Sequence, residues 1–207
     1  MDFTIKCDVF ARLAQVTKLF KPTIDPETKR VLECVRLEYR NGHYYAIATN
    51  QEIASIQYLG STDRPDQAVH VVNDDAIIAQ AQAEVGFDSS LIVTMHETPT
   101  LTSMYGWIYQ GAPIIRPADT PMDGWQDWFP DSLPTKNKGI MFWNADHVAA
   151  LSASAPSGKI YFPEFVDVDK PIVVRDRLDG NWCGLFVPKP EPTDTPIKQG
   201  AEIPSWV

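Results

Sequence analysis

Phe3-Thr4-Ile5-Lys6-Cys7-Asp8-Val9-Phe10-Ala11-Arg12-Leu13-Ala14-Gln15-Val16-Thr17-Lys18-Leu19-Phe20-Lys21-Pro22 changes its hydrophobic period part-way along. Up to Cys7 apolar and polar residues alternate, as they must on a half-buried strand whose side chains point to opposite faces in turn. From Asp8 onward, Val9, Phe10, Leu13, Val16 and Phe20 recur at three- and four-residue spacing, which gathers them on one side of a helix. Asp8 is a good N-cap, because its carboxylate can accept from free amides of the first turn, and Pro22 cannot continue a helix. The segment therefore predicts a strand over 3–7 and a helix over 8–20. Arg12, Gln15 and Lys18 share the polar side of that helix.

The same order of signals returns twice. After the first helix come strand-like runs at 31–39, 44–49 and 53–59, with Asn41-Gly42 between the first two. That pair is the strongest short-range hairpin signal, since both residues tolerate positive φ. A strand over 68–72 then leads to Asn73 as a cap and to Ile77, Ile78, Ala81 and Val85 as a helical stripe that Gly86 can end. Extended runs follow at 91–95, 101–105 and 107–115. A third copy opens at 139–143, is capped at Asn144, runs as helix through Val148 and Leu151 to Pro156, and continues as strands at 159–162, 172–175 and 183–187. The three caps stand 65 and 71 residues apart. The expected fold class is α+β, built from repeated β-α-β-β-β units with antiparallel sheets and with the helices on one side.

Composition narrows what such a chain does. No stretch approaches the ~20 apolar residues of a membrane span, and the first residues lack the layout of a secretory signal. Three widely spaced cysteines, Cys7, Cys34 and Cys183, form no CxxC pair, which points to a reducing, cytoplasmic setting. The net charge of −9 is uneven: residues 1–58 carry +1, residues 59–138 carry −7 and residues 139–207 carry −3. Contact with a polyanion must therefore be local, and the first third is the one region not biased against it.

The repeat resembles the DNA sliding clamp, in which two β-α-β-β-β units make one domain, and specifically the bacterial clamp, the beta subunit of DNA polymerase III. Phe3-Thr4-Ile5 enters a helix with the clamp's apolar pattern at Phe10, Leu13 and Val16. Tyr45-Ala46-Ile47-Ala48-Thr49-Asn50-Gln51-Glu52 looks like the clamp strand that ends Ala-Thr-Asp-x-Glu, with Asn50 in place of Asp. Trp182-Cys183-Gly184-Leu185-Phe186-Val187-Pro188 is similar to the strand that closes a clamp domain. The resemblance divides the chain into a complete clamp-like domain over 1–118, a connector over 119–138 rich in Pro and Trp, a partial clamp-like domain over 139–188, and an extended tail over 188–207. Three units make an odd number: either a fourth is hidden, or the chain is about one and a half domains.

In function, the resemblance implies a processivity or scaffold protein that engages double-stranded DNA and recruits replication proteins by short peptide motifs. Such a protein works as a homo-oligomer, a ring of two or three chains. Clamp helices turn basic faces to the DNA, and the residues placed to do so here are Arg12, Lys18 and Lys21. Two or three phosphate contacts per chain, each worth a salt slope of about −0.9, bind weakly unless a ring multiplies them. The connector, where Trp125, Trp128 and Phe129 stand among Asp119, Asp123, Asp127 and Asp131, lies where clamps border their peptide pocket. These aromatics line such a pocket, anchor the connector to the core, or form a platform for a saccharide. The rival to the DNA reading is a clamp-fold module that binds proteins without encircling DNA; an enzyme or saccharide-binding protein is more distant.

No catalytic residue, cofactor or metal site is expected. GxSxG, GxxxxGK[ST], GxGxxG and HExxH are all missing from the sequence. His96-Glu97 reads as a surface turn, His147 as a partly buried imidazole and Cys183 as a small buried thiol. Asp167, Asp169 and Asp176 fit a solvated edge or a hard cation. The end of the sequence, Ile203-Pro204-Ser205-Trp206-Val207, is a peptide able to dock on a surface or to fold back on its own.

Overall fold

The computed structural model describes residues 2–18, 32–109, 114–115, 122–136, 144–164, 166–167 and 169–186. The opening strand expected at 139–143, Lys21, and the segment 188–207 lie outside these. In chain order the elements are β1 (Asp2–Lys6), α1 (Cys7–Leu13), β2 (Cys34–Arg40), β3 (His43–Thr49), β4 (Ile53–Ser61), β5 (Gln67–Val72), α2 (Asp75–Glu84), β6 (Ser90–Thr94), β7 (Thr100–Ser103), β8 (Ile114–Ile115), α3 (Ala145–Ser154), β9 (Ile160–Tyr161), β10 (Ile172–Asp176) and β11 (Trp182–Phe186). The fold is α+β with antiparallel sheets, as the repeat predicts. No described helix is long and apolar enough to cross a membrane.

The units exchange their first strands. β1 leaves its own unit and pairs with β6 of the second, Phe3 opposite Val93 and Ile5 opposite Leu91, in a three-stranded sheet ordered β1-β6-β7. In return β5 pairs with β2, Val69 opposite Leu37, in an eight-stranded sheet ordered β8-β5-β2-β3-β4-β11-β10-β9. The third unit adds to the same sheet, because β11 pairs with β4. α1 packs on both α2 and α3, so the three helices share one layer.

Two expected boundaries are corrected, and one side chain accounts for both. α1 ends at Leu13 rather than near Phe20, passing into a single 3-10 turn over Val16–Lys18. The carbonyl of Ala14, which a longer helix would offer to residue 18, instead accepts from Thr17 Oγ1 at 3.0 Å and Asn73 Nδ2 at 3.0 Å. Asn73, expected to cap the second helix, thus closes the end of the first. Asp74 caps α2, its Oδ1 accepting from the Ala76 amide at 2.8 Å. Asp8, expected as the first cap, lies inside the first turn of α1 and makes no side-chain cap. Asn144 does cap α3, accepting from the Asp146 amide at 2.9 Å.

The turns follow their local chemistry. Asn41 and Gly42 both have positive φ and close the β2–β3 hairpin. Asn50 Oδ1 accepts from the amides of Glu52 (3.0 Å) and Ile53 (2.9 Å), so an amide oxygen does here what a carboxylate could do. The run expected as one strand over 107–115 is split. Ile108 bridges back to Thr102 after the turn at Gly106, whereas Ile114–Ile115 pairs with β5 in the larger sheet.

The eight-stranded sheet is covered on both faces. Val35, Leu37, Val69, Val71, Ala46, Ala48, Val174 and Trp182 belong to the core cluster that holds the helices. At Gly184 α3 comes so close to β11 that an added Cβ would meet Val174 Cγ2 at 2.8 Å and Leu151 Cδ2 at 3.0 Å. On the opposite face Ile47, Ala54, Ile56, Cys183 and Leu185 form a second cluster, and what covers them is the connector.

Candidate functional site

The outer face of β2 carries Arg36, Glu38 and Arg40 at alternate positions, opposite the core residues Val35, Leu37 and Tyr39. Arg36 and Glu38 are almost fully buried, which such charges tolerate only when paired. Arg36 Nη2 lies 3.3 Å from Glu38 Oε1, and Arg36 Nη1 lies 2.7 Å from Asp123 Oδ1 on the connector. Trp125, in the 3-10 turn Trp125–Trp128, donates its indole N–H to Glu38 Oε2 at 2.6 Å. Its ring meets Tyr45 edge-on at 5.1 Å. His70, fully buried beside Arg36 (3.4 Å), is pushed down to about 4 by burial and by the Arg36 charge, with Asp123 opposing. An ion pair, an indole hydrogen bond and an aromatic contact thus latch the connector to the sheet.

Beyond that latch the connector becomes one wall of an open groove. Trp128 and Phe129 are partly buried against Ile47, Ile56 and Leu185. Phe129, Pro130 and Leu133 face Tyr161, Phe162, Pro163, Val173 and Arg175 across a space of about 390 Å³. Leu133 is 65% exposed, Tyr161 53% and Phe162 40%. Large apolar side chains left so open beside one another, with a single guanidinium at the rim, are unusual on a surface without a partner. The volume lies within the ~300–1,000 Å³ of ordinary ligand sites. Of the aromatics singled out in the sequence, Trp125 anchors, Trp128 packs beside it and Phe129 lines the groove. The opposite wall, Tyr161 to Pro163 with Val173 and Arg175, was not foreseen. Its signal was available: Tyr161-Phe162-Pro163 sets two large aromatics before a proline that ends a strand, and among the described residues β9 pairs with β10 alone.

Of the residues expected to face DNA, Arg12 and Lys18 are described and lie in the helix layer. Lys18 is exposed. Arg12 is turned inward instead: its side chain is 20% exposed, Nη1 donates to the Ser154 carbonyl at the end of α3 at 2.7 Å, and Nη2 lies 3.5 Å from Asp8. α2 and α3 contain no Lys or Arg, and their exposed positions include Asp75, Ala76, Ala79, Asp146 and Ala149.

The remaining candidates take structural parts. His147 Nε2 lies 3.1 Å from Glu52 Oε2, tying α3 to the β3–β4 turn. Asp176 accepts from Ser157 and from the amides of Leu178 and Asp179; burial opposes its charge, but these bonds hold the carboxyl below its usual range. Burial pushes the Cys183 thiol up to about 11. Among the described residues no cluster of His, Cys, Asp and Glu has the geometry of a metal site.

Solved structures establish the class: the chain has the fold of a DNA polymerase sliding clamp, in divergent form. It matches the DNA polymerase sliding clamp of Pseudomonas aeruginosa with a TM-score of 0.64 at 11% identity, over 92% of this chain and 67% of that one. The DNA polymerase III subunit beta of Borrelia burgdorferi, solved in complex with a natural product, gives 0.63 at 11% identity, over 92% and 64%. The Pseudomonas aeruginosa clamp bound to griselimycin gives 0.57 at 11% identity, over 92% and 65%. The chain thus spans about two thirds of the length of these clamps. No protein-family model and no curated protein matches the sequence.

Proposed function

We propose that this chain is a clamp-fold scaffold that recruits partner proteins by taking short apolar, aromatic-bearing peptide motifs into the groove beside Phe129. The observation that carries this reading is the groove itself. It sets exposed Leu133, Tyr161 and Phe162 around about 390 Å³, on a wall fixed by the buried latch at Trp125. A preformed apolar slot suits an anchor residue of a peptide, because burying one large side chain there stabilises by about 1.5–3 kcal/mol without reshaping the site. Its lining is mostly aromatic and aliphatic, which suits binding of an apolar side chain. The division into a clamp-like domain over 1–118, a connector over 119–138 and a partial domain over 139–188 belongs to the same proposal, with the groove formed where connector meets partial domain.

The test is selection of peptides from a displayed random library on the intact protein, followed by calorimetry. Selected peptides should be rich in aromatic and aliphatic anchors and lose at least tenfold in affinity against Phe162→Asp. Binding unaffected by that change, with the fold intact by circular dichroism, refutes the reading.

A second reading is the processivity role of the clamps that share this fold, favoured by exposed Lys18 on the helix layer. With Arg12 engaged by Ser154 and with acidic residues on α2 and α3, one chain offers few phosphate contacts. A homo-oligomeric ring that repeats Lys18 and Lys21 around duplex DNA makes the role physically feasible, since counterion release scales with the number of contacts. Light scattering for the ring and a salt titration of duplex binding decide it.

A further inference from the structure

We propose that the groove selects acidic peptides: partner segments in which an aromatic or aliphatic anchor stands about two to four residues from Asp or Glu. The inference rests on the groove being a peptide site. It names the chemistry that separates one partner from another.

The register of two short strands builds the selectivity. In β10, Val173 and Arg175 both line the groove. Alternate residues of a strand share a face, so Arg177 continues their row just past the strand end. β9 runs antiparallel beside it, with Tyr161 opposite Arg175 and Ile160 opposite Asp176. The Arg177 amide then donates to the Lys159 carbonyl at 3.2 Å, so the same register sets Lys159 across from Arg177. Residues directly opposite in a sheet present their side chains on one face. Arg175, Arg177 and Lys159 therefore form one basic block on the outer face, and it begins where the apolar lining of the groove ends.

The block lacks its counter-charge. All three residues are exposed, and the ion pairs among the described residues involve other groups. Arg36, under the connector, is by contrast matched by Glu38 and Asp123. Like charges directly opposite one another on a sheet destabilise it, so Lys159 facing Arg177 carries a cost that a carboxylate between them relieves. In a chain of net charge −9 such a block is a local exception, and it adjoins the apolar slot. A strand advances about 3.3 Å per residue, which puts Arg175 about 7 Å and Arg177 about 13 Å beyond Val173. An extended peptide anchored beside Val173 and Phe162 reaches those cations about two and four residues further along. Exposed pairs are individually weak, so the anchor holds the peptide while its acids decide which peptide is held.

The experiment selects peptides from one displayed random library, in parallel, on the full wild-type chain and on the variant Lys159→Gln/Arg175→Gln/Arg177→Gln. The three changes fall on exposed residues, and circular dichroism with a thermal melt establishes that the variant is folded. Peptides from the wild type should place Asp or Glu about two to four residues from an aromatic or aliphatic anchor. Those from the variant should keep the anchor without the acids. A selected peptide and its amide version, with Asn for Asp and Gln for Glu, are then labelled with fluorescein and read by anisotropy. On the wild type they should differ by about fivefold or more at low salt, and by less than about twofold at high salt or on the variant. Anchored peptides with no preference for acids overturn this inference and leave the docking reading standing. Acidic peptides whose binding is unchanged by Phe162→Ala lie outside the groove and overturn it as well. Duplex DNA that binds the wild type but not the variant, with the selected peptides indifferent to the change, assigns the block to a polyanion and overturns it. If neither protein retains any peptide, both readings fail.

Discussion

Replacing Trp125 probes the latch that sets the groove wall, and the structure gives the size of the effect. The indole is 5% exposed and packed against Ile47, Ile56 and Leu185. A Trp burying ~150–250 Å² at ~25 cal/mol per Å² stabilises by about 4–6 kcal/mol, and truncation to Ala in cores costs about 3–5 kcal/mol. Trp125→Ala should therefore cost about 4 kcal/mol, which for a chain of this size lowers Tm by roughly 8–16 °C. Trp125→Phe keeps most of the ring burial but takes away the N–H that reaches Glu38 Oε2 at 2.6 Å. Glu38 retains Arg36 at 3.3 Å, so the loss is that of one hydrogen bond to a charged acceptor, about 2 kcal/mol. The difference between the two variants separates packing from polar contact. Urea denaturation and thermal melts supply both values, and a double-mutant cycle of Trp125→Phe with Glu38→Gln should show coupling of at least ~1 kcal/mol. Equal losses from Phe and Ala, or a coupling near zero, refute the polar latch. Both variants melting within about 1 °C of the wild type refute burial of the connector altogether.

Gly184→Ala places a methyl 2.8 Å from Val174 Cγ2, 2.9 Å from Trp182 Cη2 and 3.0 Å from Leu151 Cδ2, so these packed side chains must give way. Calorimetry should show a loss of about 1–3 kcal/mol. His70 is held neutral in the folded protein down to about 4, against 6.5 for the free side chain. The unfolded chain therefore binds the extra proton between those values, and stability must fall as pH drops from 6.5 toward 4, by roughly 3 kcal/mol at most. Urea midpoints at pH 7 and pH 5 should show the loss, and His70→Gln should flatten it. Arg12 and Lys18 should separate by assay. Arg12→Ala removes the bond to the Ser154 carbonyl and costs about 1–2 kcal/mol of stability. Lys18→Ala should leave Tm unchanged and, if duplex DNA is bound, reduce the salt slope by about one per chain.

Local signals carried most of the architecture. Asn41-Gly42 marked a hairpin that the positive φ of both residues closes, and Asn144 marked the start of α3. What local patterning does not carry is which strand a strand pairs with. β1 and β5 have the same alternation and each precedes a helix, so nothing in either shows that it crosses to the other unit's sheet. That exchange is decided by long-range packing, where α1 lies against α2 and Asn73 closes the end of α1. Arg12 failed to behave as a solvated residue for the same reason: the helix wheel shows a polar side, but not that a third helix ends beside it.

The site was half legible, and the division has a physical cause. The connector's Trp and Asp residues read equally well as pocket, anchor or platform, because a sequence does not say what lies beneath them. The deciding residues sit on β2, where Arg36, Glu38 and Arg40 occupy one face at period two while Val35, Leu37 and Tyr39 occupy the other. Charges in such a row are either solvated or paired. The burial of Arg36 and Glu38 under Asp123 and Trp125 shows pairing, so the connector's first half is spent on holding itself in place. What stays exposed is its second half, from Phe129 to Leu133, facing β9, which among the described residues pairs with β10 alone. The latch and the groove are thus one device: rigidity on one side of Trp128 is what allows apolar surface to stay exposed and ordered on the other.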